Sequence, residues 1–254
     1  FKQEYNSAPL PLSISSEKYD RGAMDFIPVY PMIKGAVSVK DAVDFIKSDN
    51  PKTKMPLQNG DRIDYLPDKE LFLNVDSAAV VNSGTVSLKN AGKIVKKISW
   101  KVTQGYLYRN NIMLLDLIAH NNWKRPICFV NPSSVTKVLN VGKYFHMRGL
   151  VYQFIPTPAM DYIKNMGGVD PDSSYRILMN KKVRWGRLNM PDVHVDRTSF
   201  RNSTIAIQSY IRLAQAMVNL HKYDSAVDVL DRVIYFFPNK KFHLNYYSVH
   251  RVLL

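Results

Sequence analysis

The densest run of apolar positions lies in the middle of the chain, at residues 112–120. All nine residues of this run except Asp116 and His120 are apolar, which is too many for the single stripe of an amphipathic helix. A helix that is apolar nearly all round is a buried one. We therefore predict a buried helix here, capped at its start by Asn110 or Asn111, whose short side chains accept hydrogen bonds from a first turn.

A buried strand is predicted directly after this helix. Asn121 and Asn122 are expected to end the helix, since Asn tolerates the left-handed conformation, and Pro126 prevents its continuation. Residues 127–130, Ile-Cys-Phe-Val, combine apolar, β-branched and aromatic side chains, as short buried strands do. Helix, turn and strand are interpreted as half of a βαβ unit around which the core is built.

Weaker patterns precede this stretch. Residues 1–20 are predicted to be an irregular lead-in. Ser38 with Asp41 resembles a capping box and predicts a helix from that point. Residues 63–65 and 71–75 alternate apolar with polar side chains, which predicts a half-buried antiparallel hairpin.

The pattern after residue 130 changes twice. Residues 149–155 predict a second strand, whereas residues 159–175, with their Gly-Gly and Asp-Pro-Asp sequences, predict an exposed and mobile loop. Residues 200–221 and 223–237 predict two amphipathic helices joined by a short turn. Leu244, Tyr247 and Ser248 fall where the first helix of a following repeat is expected. The spacing of the helical pair matches the tetratricopeptide template at Tyr210, Leu213, Ala214, Met217, Ala226, Leu230, Val233 and Pro238.

These elements predict two domains. Residues 1–195 are expected to form an α/β or α+β core domain, a mixed sheet with flanking helices. Residues 196–254 are expected to form a tetratricopeptide-like helical hairpin, and further repeats are expected to follow it, because a lone pair of helices leaves an apolar face uncovered.

Composition narrows the class of protein. Of the 254 residues, 46% are hydrophobic and 11% aromatic, which excludes a disordered chain. The longest apolar run is far shorter than the roughly 20 residues that cross a bilayer. The opening Phe-Lys-Gln-Glu-Tyr carries neither an initiator Met nor the apolar core of a signal peptide, so we expect a piece of a longer protein or a mature form. The single cysteine, Cys128, lies in the predicted buried strand and is expected to be a small buried hydrophobe.

The charge is strongly basic. The formal net charge is +14, and residues 176–254 carry 13 Lys and Arg against 5 Asp and Glu. Such a balance suits nucleic acid, anionic lipid headgroups or a solvated surface, but no nucleic-acid-binding motif accompanies it, so nucleic acid is not expected as a partner. The basic run at 181–187 around Trp185 is a candidate for contact with an anionic membrane surface; the alternative is a solvated face with one buried Trp.

Motifs for chemistry are few. The sequence contains no nucleophile elbow, no P-loop and no dinucleotide fingerprint, and its six histidines lack metal-site spacing, so we predict no catalytic residue, cofactor or metal. Asp116 and His120 stand four residues apart on one helix face, where a carboxylate can orient an imidazole for catalysis. The alternative is a satisfied buried polar contact, since no Ser or Cys is placed near them as a nucleophile.

A second candidate site follows at the end of the same helix. Asn121, Asn122, Trp123 and Arg125 combine amides, an indole and a cation, which suits an anionic or sugar-like group with Trp123 as a stacking platform. The alternative is a helix stop whose Trp packs in the core and whose Arg hydrogen-bonds to carbonyls.

Several segments together carry a family resemblance: residues 20–22, 25–28, 48–54, 65–67, 121–127, 149–152, 184–186 and the final helical pair. They resemble the C-terminal soluble region of a multi-pass membrane family of Bacteroidetes, formerly a domain of unknown function and now described as protein O-mannosyltransferase-like. The resemblance covers most of residues 20–240, and Asn-Asn-Trp-Lys-Arg-Pro-Ile at 121–127 is its most specific part.

The resemblance implies a parent protein with an N-terminal multi-pass glycosyltransferase-like region that uses a lipid-linked sugar donor. Its acidic catalytic residues would lie in an extracytoplasmic loop that this chain does not contain, so no catalytic residue carries over. We expect a non-catalytic domain at the periplasmic face of the inner membrane, with the parent membrane domain, an acceptor protein or a glycan as partners. The alternatives are a small enzyme that uses Asp116 and His120, and a purely structural scaffold that assembles through its repeat helices.

Overall fold

A computed structural model describes residues 9–20, 22–32 and 35–244. The predicted fold class is confirmed, since short mixed sheets alternate with helices as far as residue 178 and a helical hairpin follows. The chain divides into two compact units, residues 1–126 with 133–141 and residues 127–132 with 142–254. The domain boundary predicted at residue 195 stays a prediction.

The first unit combines helices with three small sheets. Its helices are α1 Ser16–Asp20, α2 Val39–Lys47, α3 Ser77–Asn82, α4 Arg109–Asn121 and α5 Ser133–Leu139, with 3-10 turns at Gly22–Met24, Pro51–Thr53 and Leu88–Lys93. Its strands are β1 Phe26–Pro28, β2 Val37–Ser38, β3 Met55–Pro56, β4 Arg62–Ile63, β5 Glu70–Asn74, β6 Lys97–Lys101 and β7 Tyr106–Tyr108. They pair as β2-β5-β6, β1-β7 and β3-β4.

Helix α4 is the buried helix that the apolar run predicts. Ile112 and Leu115 are completely buried, and Asn122 ends the helix with a left-handed φ of 41°. The start differs from the prediction, because Tyr108 is the cap residue and Asn111 lies inside the helix. The Asn111 side chain accepts a hydrogen bond from the Tyr108 backbone N–H at 3.1 Å, so it stabilises the first turn from within.

Two other predictions for this unit are wrong. Strand β5 does not form a hairpin with β4, because β5 pairs with β6 and β2 while β4 pairs with β3. Alternation of apolar side chains specifies which face of a strand is buried but not which strand is its partner. The lead-in is not irregular throughout, since it contains α1 and buries Ile14 and Tyr19 to 3% and 5% exposure.

The helix predicted from Ser38 is confirmed as α2, whose Asp41 backbone N–H donates to Ser38 Oγ at 3.0 Å.

The second unit is built on a five-stranded sheet and a helical pair. Its strands are β8 Cys128–Phe129, β9 Phe145–Arg148, β10 Val151–Phe154, β11 Met160–Ile163 and β12 Gly167–Val169, in the order β11-β12-β9-β10-β8. Its helices are α6 Pro171–Leu178, α7 Arg197–Asn219, α8 Tyr223–Phe236 and α9 Asn239–Phe242, with a 3-10 turn at Gly142–Tyr144.

The predicted buried strand after α4 is wrong in its placement. Strand β8 is an edge strand that pairs antiparallel with β10, and it belongs to the second unit whereas α4 belongs to the first. Cys128 is exposed and Val130 is 60% exposed, so the expectation of a buried cysteine is also wrong. A short apolar run does not distinguish a central strand from an edge strand, and the βαβ interpretation fails for that reason.

The predicted loop at 159–175 is ordered structure. It contains β11, β12 and the start of α6, and Gly167, Gly168 and Val169 are buried. A side chain on Gly168 would place its Cβ 2.0 Å from the carbonyl oxygen of Met160. The glycines here permit close packing of strands, whereas the sequence pattern suggested turns.

The C-terminal helical pair is confirmed. Asp196 caps α7 by accepting hydrogen bonds from the Thr198 and Ser199 backbone N–H groups at 2.7 and 3.0 Å. All the positions that match the tetratricopeptide spacing except Pro238 are buried, Pro238 lies after the end of α8, and Leu244 is buried as well. Tyr247 and Ser248 lie outside the described residues, and assignment to a repeat family stays a prediction. Among the described residues, no helix has both the length and the apolar character needed to cross a bilayer.

Candidate functional site

Asp116 on α4 is the centre of the first candidate site. Its carboxylate is completely buried. One side accepts hydrogen bonds from the backbone N–H groups of Ser13, at 2.9 and 3.0 Å, and Ile14, at 3.0 Å. The Tyr19 hydroxyl donates to Oδ2 at 3.0 Å, and His120 Nδ1 lies 2.9 Å from Oδ1. Every direction of approach to the carboxylate is thus filled by a protein donor.

The arrangement joins the lead-in to the central helix. A buried carboxylate is tolerated only where donors replace its hydration, and the lead-in provides three of the four. Burial, followed by the charge of Asp116 and the hydrogen bond to it, raises the pKa of Tyr19. His120 remains 23% exposed on its side chain, but its partner offers no surface to a substrate. This geometry fits a structural contact, because a catalytic carboxylate has to act on bound substrate through an accessible imidazole.

The turn after α4 is closed by Asn121. Its side chain donates to the carbonyl oxygen of Arg125 at 2.7 Å and accepts from the Arg125 backbone N–H at 3.3 Å. Asn122 and Trp123 both have left-handed φ angles, 41° and 61°, and the Asn121 side chain holds this uncommon backbone in place. The Arg125 guanidinium donates to the carbonyl oxygen of Pro9 at 3.0 Å, so the turn also anchors the lead-in.

Trp123 does not present its ring to solvent. The side chain is 8% exposed, whereas a sugar that stacks on an indole needs one ring face free. Asn122 is exposed, and the binding role predicted for Asn121, Asn122, Trp123 and Arg125 stays a prediction. The structure shows a structural role for Asn121 and Arg125, whose side chains hold the turn and attach it to the lead-in.

Trp185 belongs to the second unit, whereas the other six predicted site residues belong to the first. Its indole N–H donates to the Tyr210 hydroxyl at 3.1 Å, and that hydroxyl donates to the carbonyl oxygen of Leu178 at 3.0 Å. The ring also packs edge-on against Phe237 at a centroid distance of 5.3 Å. Trp185 therefore packs against the helical pair, while Lys181, Lys182, Arg184 and Arg187 beside it are exposed.

Sequence reasoning missed a buried lysine pair in the first unit. Lys18 and Lys54 both approach Asp64, and their side chains are 8% and 11% exposed. Lys18 Nζ donates to the carbonyl oxygen of Lys47 at 2.9 Å, and Lys54 Nζ donates to that of Ser48 and to Asp64. Desolvation lowers the pKa of Lys54 although Asp64 opposes the shift. The pair holds segment 48–54 in place, and the family-like sequence of that segment was the available signal.

A lysine also holds the loop that forms an open cavity in the second unit. It has a volume of about 370 Å³, and its lining includes Phe200 and Lys241. The Lys241 ammonium donates to the carbonyl oxygens of Leu188, Met190 and Val193, so its charge stabilises the loop that forms the cavity. Among the described residues, no group of three His, Cys, Asp or Glu side chains is placed to hold a metal ion.

The comparisons with known proteins identify the family. A family model described as TMEM260-associated domain 2 matches residues 1–173. Neither a search of curated proteins nor a search of solved structures found a match. The match confirms the resemblance to a protein O-mannosyltransferase-like multi-pass membrane family, and it ends before the helical pair. Assignment to Bacteroidetes stays a prediction. Because the model covers more than half of the chain, the chain belongs to the TMEM260-associated domain 2 family.

Proposed function

We propose that this chain is a non-catalytic, extracytoplasmic domain of a protein O-mannosyltransferase-like membrane protein. It lies at the periplasmic face of the inner membrane and binds an acceptor protein, a glycan or the membrane region of its parent. The observation that carries the proposal is the family match over residues 1–173, since the parent family is a multi-pass membrane family of the O-mannosyltransferase-like type.

The geometry around Asp116 supports the non-catalytic part. An enzyme that used Asp116 and His120 would need both groups at a site that substrate reaches. Asp116 is completely buried and surrounded by donors, and its contacts hold the lead-in against α4. The matched experiment incubates the purified chain with a lipid-linked mannose donor and an acceptor peptide. We expect no transfer; transfer that His120→Ala abolishes would establish the enzyme alternative and overturn the proposal.

The single cysteine provides a test of location. Cys128 is exposed and is the one cysteine among the 254 residues. Cysteines elsewhere in the parent are replaced by Ser, and intact cells are treated with a membrane-impermeant sulfonated maleimide. We expect Cys128 to be labelled before lysis and the Cys128→Ser control to remain unlabelled. Labelling of Cys128 only after lysis would place the domain in the cytoplasm and contradict the proposal.

We further propose that the basic run at 181–187 contacts an anionic membrane surface. Lys181, Lys182, Arg184 and Arg187 are exposed, and each cation near an anionic leaflet contributes about 1 kcal/mol. Vesicles containing one quarter phosphatidylglycerol are expected to co-sediment with the chain at low salt and to release it at high salt. Lys181→Glu with Lys182→Glu should abolish this binding; binding that salt leaves unchanged would refute the electrostatic explanation.

A scaffold function is the second candidate, and one observation favours it. Helix α8 exposes a set of large apolar side chains, of which Tyr223, Val227 and Ile234 lie beside its buried stripe and Tyr235 lies on the opposite face. Exposed apolar patches of this kind mark protein-binding surfaces. If the helices assemble, Val227→Glu should reduce recovery of the parent complex in a pull-down. A monomeric chain with the same partners in wild type and variant would count against the scaffold.

A further inference from the structure

The first unit carries an aromatic surface on the ribbon that β1 and β7 form. Phe26 pairs opposite Tyr108, and Ile27 opposite Leu107. Ile27 and Leu107 are completely buried, whereas Phe26 and Tyr108 are 52% and 51% exposed. Because side chains alternate along a strand, Tyr106 lies on the same face as Tyr108. We call Phe26, Tyr106 and Tyr108 the aromatic ribbon face.

The three rings of this face are in mutual contact. The Phe26 ring centroid lies 5.1 Å from that of Tyr106 and 6.5 Å from that of Tyr108, and the two tyrosine rings lie 5.3 Å apart. The neighbouring Tyr106 side chain raises the pKa of Tyr108. The rings meet at angles of 37°, 61° and 76°. They therefore form a cluster in which the half-exposed Phe26 and Tyr108 present separate ring faces, with the tyrosine hydroxyl groups nearby, on a backbone that the buried Ile27 and Leu107 anchor.

Charged side chains flank the aromatic ribbon face. Arg109 follows Tyr108 and forms an ion pair with Asp25, which precedes Phe26; its second partner is Asp20 at 3.8 Å. Among the residues of this rim that the structure describes, two carboxylates against one guanidinium give no positive surplus. Within the described part of the chain, Arg109 Nε has no hydrogen-bond partner. That nitrogen is buried, so the groups that reach the edge of the rings are the two carboxylates and the terminal guanidinium nitrogens paired with them.

Size and charge decide which kind of ligand fits. Phe26 and Tyr108 are about half exposed and Tyr106 is less exposed, so three rings of about 200 Å² each provide less than about 300 Å², whereas a stable protein partner needs about 800 Å² on each side. An anionic lipid surface requires clustered cations, whereas the described residues of the rim set one guanidinium against two carboxylates. A neutral ligand with flat apolar faces and hydroxyl groups at its edges matches both the rings and the rim. Sugar rings have that form.

We propose that the aromatic ribbon face is a carbohydrate-binding site, on which a pyranose ring stacks while Asp25 and Arg109 hydrogen-bond to its hydroxyl groups. The inference rests on the proposed function, because it names the glycan as the bound partner of the domain. It replaces the buried Trp123 by exposed rings as the stacking platform. The Tyr106 and Tyr108 hydroxyls add donors and acceptors beside the rings.

The test uses the full chain and three disaccharide probes, mannobiose, maltose and cellobiose, in saturation-transfer NMR and calorimetry. At least one probe is expected to bind with a dissociation constant of about 1 mM. Phe26→Ala and Tyr108→Ala should each weaken that binding about tenfold, equivalent to about 1.4 kcal/mol. Tyr108→Phe retains the ring and should weaken it less. Tyr235→Ala is the matched control, since Tyr235 is an exposed tyrosine (63%) on α8, and its binding should equal that of the wild type.

Three results would overturn the inference. The first is binding of none of the three probes. The second is binding that Phe26→Ala and Tyr108→Ala leave unchanged, or that Tyr235→Ala reduces equally, while circular dichroism shows all variants folded. The third is sedimentation with phosphatidylcholine vesicles that Phe26→Ala abolishes when sugars fail to bind, which would make the face a membrane contact. These results leave the proposed function standing, because Cys128 labelling and the transfer assay test it independently.

Discussion

Replacing Asp116 by Ala is expected to detach the lead-in from the central helix. The substitution removes the acceptor of the Ser13 and Ile14 backbone N–H groups and of the Tyr19 hydroxyl. Those donors lie in residues 9–20, and in the variant they have to hydrogen-bond to water instead. The rest of α4 is unaffected in sequence, so the loss should concentrate in the lead-in.

The magnitude follows from the chemistry of the contact. Each hydrogen bond to a charged group contributes about 1.5–3 kcal/mol, but detachment of the lead-in lets water satisfy the donors and limits the total. Removing one partner of a buried charged contact typically costs about 3–5 kcal/mol. We expect a loss of that size from the free energy of unfolding of the first unit, and an increase of roughly 100-fold to 4000-fold in opening of the lead-in, at about 1.4 kcal/mol per decade.

Hydrogen exchange and urea unfolding measure the two effects separately. In Asp116→Ala, the amides of Ser13 and Ile14 should exchange at close to the unfolded rate, whereas amides in α7 should keep their protection. Asp116→Asn retains the shape but not the charge and should lie between wild type and Ala. Tyr19→Phe removes one hydrogen bond to the carboxylate and should cost about 1.5–3 kcal/mol. The reasoning fails if Asp116→Ala loses less than about 1 kcal/mol or leaves exchange at Ser13 and Ile14 unchanged.

Three further predictions concern single residues. Burial raises the pKa of Tyr19, so the folded protein keeps a proton that the unfolded chain releases near its ordinary pKa of about 10. The free energy of unfolding should therefore fall above about pH 10, by up to about 1.4 kcal/mol per pH unit from this residue. Urea unfolding of Tyr19→Phe should lack that part of the slope. Gly168→Ala should lower the free energy of unfolding of the second unit by more than about 3 kcal/mol, because its Cβ would meet a strand carbonyl at 2.0 Å. The control Gly92→Ala, with open space around its Cβ, should be within about 0.5 kcal/mol of wild type. Equal losses in the two variants would refute the packing argument. Cys128 is exposed and should react fully with a maleimide, by mass spectrometry, without denaturant; a requirement for denaturant would contradict its position at the sheet edge.

The longer helices α2, α4, α7 and α8 could be predicted from the sequence because their signals are local. The apolar density of α4, the left-handed Asn122 at its end and the Asp196 cap of α7 all lie within one or two turns of the element that they define. Strand partners could not be predicted. Residues 71–75 alternate as a strand should, but the partners of β5 are β6 and β2, and no property of the segment itself specifies either one.

The same limit applies to the candidate site. The four-residue spacing of Asp116 and His120 predicts their contact, which the structure confirms at 2.9 Å. The donors from Ser13 and Ile14 are more than 100 residues away in sequence. Their hydrogen bonds close the Asp116 carboxylate off from a substrate. The aromatic ribbon face was missed for a related reason: Phe26 and Tyr108 lie on segments of three residues, too short for alternation to be recognised.

The most direct test of the domain's role is a glycoproteomic comparison in cells that depend on the parent protein. One strain carries the intact parent, and the other carries a parent that lacks residues 1–254, matched for its amount in the membrane. We predict that O-mannosylated peptides decrease at some or all acceptor sites when the domain is missing, although the membrane region is retained. An unchanged set of modified peptides, at unchanged occupancy, would contradict a role in binding acceptor, glycan or the parent's membrane region.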